Sequence, residues 1–157
     1  VDHHARVTFE AHVLAIFPFD RSFGFGFYEL SVAMSLAEEN IAKRNFTNKI
    51  KFYFRFADSE CNEKDAAMAF ITHYFAQQVS VVIGPFCDYS LSSVGSYAPY
   101  WNIPVVSPGG FSHEYDKRGE DFNTLTRVGG TLETMSGLLF TFMHRSNWTK
   151  FVIIYEP

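Results

Sequence analysis

The turn after the apolar run 79–83 holds the residue types best suited to chemistry in this chain. The run, Val-Ser-Val-Val-Ile, is rich in β-branched residues and is typical of a strand buried on both faces. Gly84 and Pro85 end the strand, and Asp88 and Ser90 can cap the helix that follows. Such a turn places free backbone N–H groups at the carboxyl edge of a sheet, where open α/β sheets bind ligands. The sequence therefore predicts a ligand-binding edge here, and one of the two cysteines lies within it.

Motifs that would indicate an enzyme are not found along the chain. There is no G-x-S-x-G, H-E-x-x-H or Walker pattern, and no Cys/His set has the spacing of a metal site. Residues 107–110, Ser-Pro-Gly-Gly, suggest an oxyanion turn, but no partner base is identifiable. His3, His4 and His12 match no known ligand spacing. We therefore expect a non-catalytic chain with no organic cofactor and no metal.

Composition and charge exclude further classes. The chain has 157 residues, enough for one domain with a sizeable core, and its net charge of −4 argues against nucleic-acid binding. No apolar run approaches the ~20 residues that cross a bilayer. The chain starts at Val1 without a signal-peptide pattern, which favours a mature protein or a fragment. The 18 Phe residues suggest more apolar surface than one small domain needs, so a partner could cover part of it.

Two N-x-[ST] sequons, at Asn45 and Asn147, are candidate glycosylation sites. Together with the pair of cysteines, they favour a secreted or extracellular setting over a cytosolic one.

Strand and helix patterns alternate along the chain. Strands are predicted at residues 12–17, 49–56, 79–83, 103–107, 124–128 and 151–155. Helices are predicted over residues 30–41, 63–77, 88–100 and 131–145, with a surface loop at 111–122. This order predicts an α/β fold with a doubly wound, mainly parallel sheet. Because the last strand has no successor, we expect residues 1–128 to form a first lobe. Residues 129–157 would then be the crossing helix and first strand of a truncated second lobe.

Four segments resemble a known receptor family in their order and spacing. They are Ala-Asp-Ser-Glu-Cys (57–61), Ile-Gly-Pro-Phe-Cys-Asp-Tyr (83–89), Tyr-Trp-Asn-Ile-Pro-Val-Val-Ser-Pro-Gly-Gly (100–110) and Thr-Leu-Thr-Arg-Val (124–128). The chain is similar, from about His12 to Tyr155, to the extracellular ligand-binding domain of natriuretic peptide receptors and related receptor guanylyl cyclases. This resemblance implies the type I periplasmic-binding-protein fold, with its N-terminal lobe and the start of the second lobe present here.

The resemblance also implies a disulfide and an anion site at the predicted edge. It pairs Cys61 with Cys87. It places a chloride ion against the Ser59 hydroxyl and the backbone N–H groups of Phe86 and Cys87. A turn that leads into a helix N-terminus suits an anion on physical grounds as well. Some receptors of the family have glycine at the Phe86 position, and a bulky residue there restricts the backbone of the turn.

Partners follow from the same resemblance. It implies contacts between a peptide hormone and Glu63 and Tyr89, and a homodimer interface at Phe75, Tyr100 and Trp101. It further implies a parent protein in the cell membrane, with this region on the extracellular side and a guanylyl cyclase downstream. A clearance-type receptor without a cyclase is an alternative.

The sequence leaves two further questions open: the class of ligand and the role of three alternating phenylalanines. A small-molecule sensor of the same fold would grip an amino-acid-like ligand with hydroxyls after its third and fourth strands. Ser90, Ser92 and Ser93 could serve after the third strand, but Gly109 and Gly110 occupy the turn after the fourth. The alternating Phe23, Phe25 and Phe27 either cover the sheet edge or face a cleft or second subunit.

Overall fold

A computed structural model describes residues 9–43, 50–116, 119–152 and 154. The strands are β1 (Phe9–Phe17), β2 (Ile50–Asp58), β3 (Val81–Ile83), β4 (Val105–Ser107) and β5 (Leu125–Arg127). The α-helices are α1 (Phe27–Lys43), α2 (Glu63–Ala76), α3 (Asp88–Tyr97) and α4 (Leu132–Arg145). Short 3₁₀ helices follow at Ala98–Trp101, His113–Asp116 and Glu120–Phe122.

The five strands form one parallel sheet in the order β2-β1-β3-β4-β5, which confirms the predicted fold class. β1 lies between β2 and β3 in the interior of the sheet, and helices pack over both faces at its residues 13–17. This position explains why residues 13–17, Val-Leu-Ala-Ile-Phe, are a continuous apolar run and are all buried.

Helices cover the two faces of the sheet. On one face, α2 and α3 pack together over Leu14, Ile16 and Val82, with Phe70 and Leu91 fully buried between the layers. On the other face, α1 contributes Met34 and Leu30 to a cluster with alternate β1 and β2 residues. The carboxyl ends of the strands therefore meet at one edge, where the loops after β1, β2, β3 and β4 lie.

Two local predictions were wrong at the start of α3. Asp88 and Ser90 do not cap the helix, because the helix begins at Asp88 and Cys87 is its N-cap residue, without a side-chain hydrogen bond. The Asp88 carboxylate instead accepts a hydrogen bond from the distant Phe111 N–H, and the Ser90 hydroxyl donates to the Asn62 carbonyl. Both side chains therefore bond to residues distant in sequence instead of to the first N–H groups of α3.

The chain beyond β5 also differs from expectation. The segment 111–122 is not only a surface loop, since it forms two 3₁₀ turns and buries Tyr115. The strand predicted at 151–155 is not formed at its described residues 151, 152 and 154. A parallel strand needs a neighbour to pair with. Several apolar residues of α4 are exposed: Met135, Leu138, Leu139 and Phe142.

Candidate functional site at the carboxyl edge of the sheet

A disulfide joins Cys61 to Cys87, with their Cα atoms 5.5 Å apart. It links the segment after β2 to the N-cap residue of α3. Cys61 and its neighbour Glu60 both have left-handed backbones, with φ of 55° and 46°. The bond that the resemblance implied is therefore present, and it holds the starts of α2 and α3 at the same edge.

Ser59 lies inside this edge and is fully buried. Its N–H donates to the Phe17 carbonyl (3.2 Å), and its Oγ accepts from the Cys61 N–H (3.3 Å). Because the Oγ acts as an acceptor in that bond, its own hydrogen remains available to a further acceptor. Among the described residues, none accepts a hydrogen bond from the N–H of Phe86 or Cys87. Three donors thus lie on the two segments that the disulfide joins.

The turn after β3 packs against the turn after β4 with little free space. Gly84 has φ of +93°, and a Cβ there would lie 2.3 Å from the Ile16 carbonyl oxygen. A Cβ on Gly109 would lie 1.8 Å from the Phe86 carbonyl oxygen. Phe86 is not among the residues with positive φ, so the turn tolerates a side chain at this position.

Ser107 ties the two turns together. Its buried hydroxyl donates to the Pro85 carbonyl and accepts from the Gly109 N–H (3.0 Å). The hydroxyl therefore acts as both donor and acceptor, and both hydrogen bonds hold the two turns together. The segment 107–110 is a structural turn in this arrangement.

Phenylalanines cover the edge from the solvent side. Phe25 packs on Phe86 with ring centroids 3.7 Å apart, and Phe86 packs edge-on against Phe111 at 5.7 Å. Phe23 contacts Phe25, and Phe27 contacts Phe56 at 5.0 Å. Of the two alternatives for the alternating phenylalanines, this packing favours a cover over the sheet edge.

A polar network that sequence reasoning missed fixes the loop after β4. The Tyr115 hydroxyl donates to the Asp88 carbonyl (2.8 Å). Arg127, only 13% exposed in its side chain, donates to the carbonyl of Gly110 (2.7 Å) and pairs with Asp116. Local sequence carries no signal for these bonds, since each partner comes from a different element. The aromatic residues of this mostly polar segment, Phe111, Tyr115 and Phe122, are the one local hint of burial.

Burial raises the pKa of the Tyr115 phenol to about 12, and the Asp88 and Glu114 carboxylates add to the shift. In the unfolded chain the phenol has its ordinary pKa near 10, so between about pH 10 and 12 only the unfolded state loses the proton. The contribution of Tyr115 to the free energy of unfolding is therefore fully present below pH 10 and is lost as the pH rises towards 12. We expect the melting temperature of Tyr115→Phe to fall less than that of the wild type over this interval.

The test is a pair of melting curves measured from pH 8 to 12 for the two proteins. At pH 8 the variant should be less stable by about 1 kcal/mol, because the Asp88 carbonyl loses its hydrogen bond. All other groups are the same in the two proteins, so the difference between the two curves reports on Tyr115 alone. Parallel curves above pH 10 would contradict the assignment.

The two residues expected to face a hormone lie at neighbouring helix starts. Glu63 is the first residue of α2, and Tyr89 is the second residue of α3, with 78% of its surface exposed. The Ser93 hydroxyl donates to the Glu63 carbonyl (3.0 Å), which fixes α3 against α2. The structure therefore brings an exposed carboxylate and an exposed phenol to the disulfide-linked edge.

Two of the three residues expected at a dimer interface, Phe75 and Trp101, belong to an aromatic cluster after the other ends of α2 and α3. Phe75 and Tyr100 are 73% and 81% exposed, and Trp101 is half-buried. The Phe75 and Trp101 rings lie 6.1 Å apart in an edge-on arrangement, and Tyr74 packs on Trp101 at 4.6 Å.

Three remaining sequence predictions concern single residues. Asn147 is exposed just after α4, as a glycan acceptor must be, with φ of 53°. Asn45 lies outside the described residues, as do His3 and His4. His12 lies in β1 and stacks on Tyr53 at 5.1 Å. No helix in the described part of the chain is long and apolar enough to cross a membrane.

The parallel sheet, with its helices on both faces and its linked loops at the carboxyl edge, is an α/β fold of the periplasmic-binding-protein type. An ABC transporter substrate-binding protein from Desulfitobacterium hafniense has the same fold, with a TM-score of 0.71 and 17% sequence identity. The match covers 87% of this chain and 39% of that one. The family model "Receptor family ligand binding region" matches residues 29–157. The chain belongs to this family, whose members bind ligands.

Among curated proteins, natriuretic peptide receptors are similar to this chain. Atrial natriuretic peptide receptor 3 of Bos taurus is 22% identical over 152 residues, a match that covers 92% of this chain and 28% of that protein. Atrial natriuretic peptide receptor 2 of Rattus norvegicus is 23% identical over 128 residues, covering 82% of this chain and 12% of that protein. The chain thus spans little more than a quarter of the length of the first of these receptors.

Proposed function

We propose that this chain is part of the extracellular ligand-binding region of a single-pass membrane receptor that binds a peptide hormone of natriuretic type. The observation that carries the proposal is the disulfide between Cys61 and Cys87, which holds Glu63 and Tyr89 together at one exposed edge. An exposed aromatic residue beside a charged one is the kind of anchor that peptide and protein interfaces use.

Hydrogen bonding at α3 supports a peptide over an amino-acid-like ligand. The Ser90 and Ser93 hydroxyls are buried and donate to the carbonyls of Asn62 and Glu63, so they join α2 to α3 rather than facing a ligand. After β4, a hydroxyl-bearing side chain at Gly109 would collide with the Phe86 carbonyl. A small-molecule sensor remains the alternative, with Ser92 as its one half-exposed serine in this group.

The peptide proposal predicts that Glu63→Gln and Tyr89→Ala each weaken binding of a ring-shaped natriuretic-type peptide at least tenfold. Tenfold is about 1.4 kcal/mol, a moderate loss for an interface anchor. Binding is measured by calorimetry on a receptor region that contains both lobes, since we expect one lobe alone to bind poorly. Glu38→Gln, exposed on α1, and Tyr97→Ala, exposed at the opposite end of α3, are the matched controls. Amino-acid binding with no peptide binding would favour the sensor instead.

A chloride ion is proposed at Ser59, Phe86 and Cys87. Three donors support the proposal, because the buried Ser59 hydroxyl and both N–H groups have hydrogens that no described residue accepts. The start of α3 adds the positive end of a helix dipole. Bound chloride would supply a buried negative charge that neutralises these donors and stiffens the disulfide-linked turn.

Replacing chloride by gluconate at constant ionic strength should therefore lower the melting temperature. An ion present at tenfold its Kd contributes about 1.4 kcal/mol, or roughly 3–6 °C for a domain of this size. Ser59→Ala should lose most of this dependence, whereas Ser35→Ala on exposed α1 should retain it. Equal melting temperatures in the two salts for the wild type would contradict the site.

Homodimerisation through Phe75, Tyr100 and Trp101 is proposed as well. Phe75 and Tyr100 are highly exposed, Phe75 contacts Trp101, and exposed aromatic residues are typical of interfaces. Phe75→Glu should shift the receptor towards monomer in sedimentation velocity, and an unchanged distribution would refute this interface.

The exposed apolar residues of α4 support the proposal that residues 129–157 begin a second lobe, whose own sheet would cover them. Signalling through a downstream guanylyl cyclase completes the proposal. Cyclic GMP produced by cells in response to the peptide would distinguish it from a clearance-type receptor.

A further inference from the structure

Three potential metal ligands meet where the chain passes from the first lobe into α4. They are His113 and Asp116, in the 3₁₀ turn after β4, and Glu133, in the first turn of α4. We propose that these three side chains bind a zinc ion. The site is distinct from the disulfide-linked edge and departs from the sequence-based expectation of no metal, because its third ligand comes from a separate element.

The distances between the ligand atoms suit a single ion. His113 Nδ1 lies 3.1 Å from Asp116 Oδ2 and 3.7 Å from Glu133 Oε2. One ligand atom from each residue lies within 4.8 Å of the others. Zinc bonds of about 2.0–2.1 Å at tetrahedral angles place neighbouring ligand atoms about 3.3 Å apart. Both pairs involving the imidazole therefore need to shift by only a few tenths of an ångström.

The chemical nature of the three ligands indicates which metal ion the site would bind. One imidazole nitrogen with two carboxylates is a set that zinc accepts, whereas calcium and magnesium take oxygen ligands. All three residues are exposed, so water can reach the ion and occupy its fourth position. This arrangement corresponds to an open site with three protein ligands rather than a closed structural one.

The surrounding contacts hold the ligands in place. Arg127 pairs with Asp116 through Oδ1, which leaves Oδ2 on the side of His113. The Leu132 N–H donates to the Phe111 carbonyl (3.1 Å), so the start of α4 is tied to the segment that carries His113. Outer contacts of this kind orient the ligands of metal sites. A bound ion would add a second link between α4 and the first lobe.

Calorimetric titration of the 157-residue chain with zinc chloride tests the proposal. We expect one site, with binding at least tenfold weaker in His113→Gln and in Glu133→Gln. His144→Gln, at the opposite end of α4, and Glu114→Gln, beside the cluster, are matched controls that should bind as the wild type does. Circular dichroism verifies that each variant folds, which is expected because all the altered side chains are exposed.

Cobalt substitution provides an independent readout, since cobalt in a four-coordinate site of nitrogen and oxygen ligands absorbs visible light more strongly than hexaaqua cobalt. The proposal predicts this absorption in the wild type and its loss in His113→Gln. Absence of zinc binding, or zinc binding that is unaffected by both ligand variants, would overturn it. In either case the three residues would form only a surface cluster in which the imidazole lies beside the two carboxylates.

Discussion

The double variant Cys61→Ser/Cys87→Ser is expected to lose about 3 kcal/mol of folding stability. The disulfide closes a loop of 26 residues and thereby reduces the number of conformations open to the unfolded chain. For a domain of this size the loss corresponds to a melting temperature lower by about 6–12 °C. The effect is large because the bond also holds two consecutive left-handed residues, Glu60 and Cys61, at the start of α2. Thermal melts of the two proteins measure it.

The reductant serves as the control for this comparison. Wild-type protein treated with a phosphine reductant should melt near the temperature of the untreated double variant, whereas the double variant should not respond to the reductant. A double variant that melts within 2 °C of the oxidised wild type would contradict the structural role of the bond. The receptor proposal would weaken with it, because the disulfide is the one covalent link described between the segment after β2 and the start of α3.

Gly109→Ala is the second change with a large expected effect. The added Cβ would lie 1.8 Å from the Phe86 carbonyl oxygen and 2.6 Å from the carbonyl carbon, so backbone atoms must move to admit it. Overpacking that displaces backbone costs about 1–3 kcal/mol, and we expect the upper end here because Ser107 binds both turns. The melting temperature should fall by about 6–12 °C.

Gly24→Ala is the matched control, because nothing lies within 4 Å of a Cβ at that position. It should change stability by less than 0.5 kcal/mol or raise it slightly, through a less flexible unfolded chain. Gly109→Ala also moves the Phe86 backbone, so the variant should lose part of the dependence of melting on chloride. Equal stability of the two glycine variants would show that the turns are not packed as described.

The elements predicted from sequence and found in the structure are those governed by burial. The apolar run in β1 and the alternating pattern of β2 both reflect positions in a covered parallel sheet, and local composition is enough to reveal them. Helix α2 was also predicted from local sequence, and it begins at the predicted residue, Glu63. The Asn62 side chain caps it by accepting a hydrogen bond from the Asp65 N–H.

Long-range hydrogen bonds account for what sequence reasoning missed. Asp88 has the residue type of a helix cap, yet its carboxylate accepts from Phe111, which lies in another loop. Arg127 reaches back to Gly110 and Asp116, and Glu133 approaches His113 from α4. None of these partners can be assigned until the sheet brings their loops together. The disulfide was reached through a family resemblance rather than through spacing, and the structure confirmed it.

The proposed peptide edge is tested most directly by placing a photoreactive residue, p-benzoylphenylalanine, at Tyr89 in a receptor region that contains both lobes. Tyr89 is exposed, so the replacement is expected to leave the fold intact. The account predicts that irradiation with a natriuretic-type peptide gives a covalent adduct, and that the same residue placed at Tyr97, at the opposite end of α3, gives none. Peptide that binds this region but forms no adduct at Tyr89 would contradict the central claim.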